Sequence, residues 1–124
     1  EQDGDVALAL LENGAPLFTP SFMFAAASTV LRKKCKAGII AVDDARERLT
    51  QLPRYFQAMA RQPDFVMAFD LSVKLDHPVY DCIYLCAALD NRLPLVTADR
   101  DLARKAKLVT GLVVHELSSW TVPR

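Results

Sequence analysis

Between Val79 and Ala106 the chain runs VYDCIYLCAALD, turns through a few polar residues, continues as PLVTA and passes directly into DRDLARKA. The spacing predicts an apolar helix, a short strand and a second helix joined by links of only a few residues. Parallel strands need a helical crossover, so this order favours a parallel sheet covered by helices. The alternation extends to the rest of the chain. APLFTP reads as a brief strand, and SFMFAAASTVLRKKCKAG as a long apolar helix, largely buried, that ends in a basic turn and Gly38. VDDARERLTQL is an amphipathic helix with arginines toward water, RYFQAM a short edge strand, and DFVMAFDLSVKL a helix with Phe65, Phe69 and Val73 on one face. His77 and Pro78 break that helix, and LVVHEL is the last strand. About Asp5 to Glu12 a short amphipathic helix is expected, closed by Asn13 and Gly14. The expected fold is a three-layer α/β/α arrangement with a mainly parallel sheet.

A chain of 124 residues suffices for one core and is short for two, so one domain over 1–124 is expected. It is 52% apolar and 24% charged, a globular composition, and its 15 basic and 15 acidic residues announce no nucleic-acid or membrane partner by total charge. Three cysteines cannot all pair internally, and no apolar run reaches the roughly 18 residues of a bilayer span. A reduced, cytoplasmic setting without a membrane is expected.

The acids sit where chemistry is usually built. In parallel α/β folds ligands gather at the carboxyl ends of strands, and Asp99 and Asp101 lie just past PLVTA. Asp99 also suits a helix N-cap, with no chemistry implied. Asp81 lies among Val79, Ile83, Leu85, Cys82 and Cys86, where a carboxylate needs a cation or donors. With Thr97 these acids form a set of hard oxygen ligands suited to Mg²⁺ or Mn²⁺. An ion so held can activate water and neutralise a scissile phosphate, which points to phosphodiester hydrolysis.

HPVYDCIYLCAAL followed by LPLVTADRDLARKA resembles the C-terminal half of PIN-domain proteins, in particular the VapC-type toxins of toxin–antitoxin pairs. APLFTPSFMFAAASTVLRKKCKAGII is similar to that family's second strand and following helix. The resemblance implies a Mg²⁺- or Mn²⁺-dependent endoribonuclease with an RNA substrate and an antitoxin protein as partner. It assigns Asp81 and Asp99 to metal binding and catalysis. Asp101 becomes an accessory that holds a water of the metal, and Thr97 orients Asp99. The family opens on a strand ending in Asp, whereas this sequence opens in what resembles the next helix. The strand is therefore expected to come from residues before these, from a partner chain or from a rearranged dimer. The family's helical Glu falls on Ala26, which cannot ligate a metal. A catalytically silent PIN-like module that binds an antitoxin or RNA is the alternative.

Other features have structural readings beside functional ones. Arg32, Lys33 and Arg100 are candidate phosphate contacts, although basic residues near helix ends also stabilise helices. Tyr80 and Tyr84 are expected in the core, His77 and His115 are read as structural, and Cys82 and Cys86 as packing residues. SFMFAAAS and the apolar face of DFVMAFDLSVKL exceed what one small domain readily buries, so a homodimer is expected.

Overall fold

A computed structural model describes residues 17–59 and 61–119. The helix expected over Asp5 to Glu12 lies outside the described residues. The chain divides into two compact units, one within Pro16–Ala60 and the other containing Arg61–Arg124.

In the first unit, strand β1 (Leu17–Thr19) leads through Pro20 into helix α1 (Phe22–Lys36), followed by α2 (Val42–Gln51), a 3-10 turn at Leu52–Arg54 and strand β2 (Phe56–Ala58). β1 and β2 pair in parallel, Leu17 opposite Phe56 and Thr19 opposite Ala58. The pairing extends one residue further, where the Met59 N–H donates to the Thr19 carbonyl at 2.9 Å. α1 stops as its sequence foretells. Lys33, Lys34 and Lys36 occupy its last turn, Gly38 takes a positive φ of 74°, and the Ile39 N–H reaches back to the Lys34 carbonyl. This closing turn favours glycine at the left-handed position.

The expectation that α1 would be largely buried is not met, since none of its residues is buried. Two three-residue strands and one ten-residue helix offer too little surface to cover it within its own unit. α2 presents only Ala45 to the interior, and Arg46 and Arg48 face solvent as expected.

The second unit holds most of the core. Helix α3 (Phe65–Leu75) begins at Asp64, whose carboxylate accepts from the Val66 and Met67 N–H groups at 3.0 and 3.1 Å. α4 (Val79–Asn91), β3 (Leu95–Thr97), α5 (Arg100–Ala106), β4 (Val114–Glu116) and a 3-10 turn at Leu117–Ser119 complete it. β3 and β4 pair in parallel, Leu95 opposite Val114 and Thr97 opposite Glu116. Both strand pairings among the described residues are therefore parallel, and the fold is α/β. α4 is the central helix: Cys82, Leu85 and Cys86 are its fully buried side chains, and Ile83, Ala87 and Ala88 join them. Ala68 and Leu75 of α3 and Leu102, Ala103 and Ala106 of α5 close the same core.

Phe65, Phe69 and Val73 share a face of α3 as their spacing requires, and that face is exposed. Tyr80, expected in the core, is 72% exposed, because it lies in the first turn of α4 while the buried stripe runs through Cys82 and Cys86. Tyr84, one turn further on, is half-buried.

Candidate metal centre

The site is assembled from two helix starts and the stop of a third helix. α3 ends in a left-handed residue, Asp76 at φ 51°. The following His77 N–H then donates back to the Ser72 carbonyl at 3.2 Å, and the Ser72 hydroxyl donates to the His77 carbonyl at 2.6 Å. This reciprocal pair fixes His77 immediately before Pro78, the N-cap of α4. Asp81 occupies the first turn of α4, one helical turn beyond His77. Its Oδ2 lies 2.9 Å from His77 Nε2.

Asp99 divides its two oxygens. Oδ1 accepts the Leu102 N–H at 3.0 Å and so caps α5, as its position after a strand predicts. Oδ2 lies 3.8 Å from His77 Nε2. The cap and the candidate ligand are thus the same residue acting through different atoms. Thr97 Oγ1 accepts the Asp99 N–H at 3.1 Å, which holds the turn between β3 and α5.

His77, Asp81 and Asp99 each bring one ligand atom to within 4.8 Å of the others. His77 is buried, with 6% of its side chain exposed, whereas the Asp81 and Asp99 side chains are 39% and 46% exposed. The carboxylates are thus open to a hydrated cation while the ring beneath them is not. Two convergent, accessible carboxylates are a suitable donor set for a divalent ion.

Asp101 faces α5's own cations. Arg104 bonds its Oδ1, and Lys105 Nζ lies 3.2 Å from its Oδ2. Hydrogen bonds from Arg104 and then Lys105 hold its carboxyl below the usual range. Its Oδ2 is 3.6 Å from His77 Nδ1. Arg100 is exposed at the start of α5, and Arg32, Lys33 and Ala26 are exposed on α1 in the other unit.

Two further residues stand beside the acids in the structure, His77 and Lys105. His77, expected to be structural, contacts Asp81, and its four-residue separation from that acid signals a shared helix-start contact. Lys105 stands four residues after Asp101 on one helix face, a spacing that pairs the two side chains. Cys82 and Cys86 are buried and free, as expected of packing residues. Burial, and then the Asp90 charge, push the Cys86 thiol up to about 11.

The PIN domain family profile matches residues 1–108. The chain belongs to the PIN domain family, a nuclease fold whose members typically depend on a divalent metal. It is similar to the crystal structure of PAE2754 from Pyrobaculum aerophilum at 23% identity, covering 79% of this chain and 70% of that one with a TM-score of 0.67. That likeness supports the fold. No match is found among curated proteins. No helix of the described residues is long and apolar enough to cross a membrane.

Proposed function

We propose that this protein is a metal-dependent endoribonuclease of the VapC toxin type, built as one PIN-like domain over 1–124. The observation that carries the reading is the convergence of Asp81 and Asp99 with His77 in a chain of PIN family membership. Asp81 and Asp99 hold Mg²⁺ or Mn²⁺. When bound, such an ion lowers the pKa of water and offsets charge on the scissile phosphate. The chain's own residues do the rest. Thr97 fixes the turn that aims Asp99, and Asp101 holds a water beside the cluster while Arg104 and Lys105 keep it ionised. Arg32, Lys33 and Arg100 contact RNA phosphates, and an antitoxin protein restrains the enzyme in the cytoplasm. The exposed face of Phe65, Phe69 and Val73 supports a homodimer, which a monomer mass in sedimentation at micromolar concentration would refute.

The test is cleavage of mixed-sequence RNA with Mg²⁺, with Mn²⁺ and with chelator. Cleavage that needs metal and disappears in Asp81→Asn is expected, since Asn keeps the shape and loses the charge. Cleavage that survives both chelator and Asp81→Asn would show these acids to be structural.

Ala26 supports a second reading, a silent module that binds RNA or an antitoxin without cutting. Wild-type RNA binding with no cleavage, together with metal-dependent cleavage gained in Ala26→Glu, would favour it.

A further inference from the structure

We propose that Lys105 and His77 form a positioning pair: Lys105 keeps the His77 proton on Nε2, and Nε2–H fixes Asp81 beside Asp99, so that the imidazole is not itself a metal ligand. This rests on the reading that Asp81 and Asp99 hold a divalent cation.

The argument runs from what each group is able to do. Lys105 is largely buried, with 17% of its side chain exposed. Its Nζ donates to the Asp76 carbonyl at 2.7 Å and lies 3.4 Å from His77 Nδ1 and 3.2 Å from Asp101 Oδ2. An ammonium only donates, so Nδ1 is the accepting nitrogen of that contact. A neutral imidazole has one donor and one acceptor, which leaves the proton on Nε2. At the other end an ionised carboxylate only accepts, and Asp81 Oδ2 stands 2.9 Å from Nε2. Both ends of the ring therefore demand the same tautomer. A nitrogen carrying a proton has no lone pair for a cation.

The rival arrangement is the usual one for a histidine ligand, which donates its far N–H to a carboxylate and gives the near nitrogen to the metal. Here the carboxylate that faces Nδ1 is that of Asp101. Asp101 Oδ2 is 3.6 Å from Nδ1, beyond hydrogen-bond reach, and the Lys105 ammonium stands nearer that same oxygen, at 3.2 Å. The backbone supports a fixed ring as well. Ser72 holds the His77 N–H and carbonyl, and Lys105 ties α5 to the neighbouring Asp76 carbonyl. The pair anchors Asp81 from beneath and leaves its solvent side open.

Long-range ¹H–¹⁵N NMR of the full metal-free chain at neutral pH reads the tautomer directly, with His77 assigned by comparison with His77→Gln. A protonated Nε2 and an unprotonated Nδ1, both unchanged on saturation with Mg²⁺, are expected. A proton on Nδ1, an imidazolium, or a large Mg²⁺-dependent shift of Nε2 overturns the proposal. Mn²⁺ binding followed by electron paramagnetic resonance supplies the second arm. Lys105→Met, which keeps the stem and removes the donor, should mix the two tautomers and weaken Mn²⁺ binding by about tenfold. Lys105→Arg should recover part of it. If the wild-type chain binds no Mn²⁺, the metal reading falls and the positioning role with it. If the wild type binds Mn²⁺, Asp81→Asn abolishes binding and Lys105→Met leaves it unchanged, the positioning role alone falls.

Discussion

The two units spend similar sequence differently. α1 and α4 are both long, alanine-containing apolar helices following a proline, yet α4 buries six residues and α1 buries none. The difference lies in the neighbours each unit provides. α4 packs along α3, where Ala68 is fully buried, and α5 closes the unit over its two strands with Leu102, Ala103 and Ala106 buried, whereas the first unit brings one amphipathic helix and two three-residue strands. The candidate site follows the packing: His77, Asp81 and Asp99 all belong to the well-packed unit. A metal site needs ligands held in place, and rigid elements hold them better than loops do.

The largest effect that sharpens this contrast is expected from Leu85→Ala. Leu85 is fully buried at the centre of α4, and its truncation should cost about 2–5 kcal/mol in urea unfolding. A loss below about 1 kcal/mol would mean that the core is less well packed than its burial indicates. The thiols report the same packing. With Cys86 raised to about 11 from an unfolded value of 9.0, the folded state holds the proton more tightly, so this contribution is complete below pH 9 and is lost as pH rises through 11. Alkylation of the native chain at mildly alkaline pH should modify the half-buried Cys35 well before Cys82 or Cys86. Equal rates at all three would break the comparison.

How much of this was legible in the sequence depends on the kind of signal. Helix ends were, because Gly38, Asp64, Pro78 and Asp99 act through local backbone chemistry that needs no neighbour. The parallel pairings were, since short links between helices and strands leave few alternatives. Burial was not: the apolar spacing of α1 and of Phe65, Phe69 and Val73 defines a face without naming what covers it. The site was half legible. Asp81 and Asp99 stood out as acids in apolar or strand-end settings. Lys105 reaches His77 across 28 positions of sequence, a separation at which no periodicity speaks.

A smaller effect separates the two duties of Asp99. Asp99→Ala removes both the α5 cap and the charge, and should cost about 1 kcal/mol of stability together with metal binding. Asp99→Asn retains an oxygen that is able to accept the Leu102 N–H, so stability should stay within a few tenths of a kcal/mol of wild type while Mn²⁺ affinity still falls. Thermal melts without metal, paired with Mn²⁺ titrations, distinguish them. If Asp99→Asn binds Mn²⁺ as wild type does, Asp99 is a cap and nothing more.

The smallest effect is expected in the other unit. Val30, on α1, is 53% exposed and outside the SFMFAAAS stretch assigned to dimer contact. Truncating an exposed side chain removes few contacts and leaves no cavity, so Val30→Ala should change stability by less than about 0.5 kcal/mol. Alanine's better helix propensity offsets part of any loss. Urea unfolding at two protein concentrations checks this. A larger loss, independent of concentration, would mean that Val30 packs within the chain and that α1 is no barer than α4. A loss that grows with concentration would mean that a second copy covers α1, because association stabilises a folded chain by mass action. In that case the contrast between the units would belong to the isolated chain, and the interface would extend along α1 beyond the stretch its apolar residues mark.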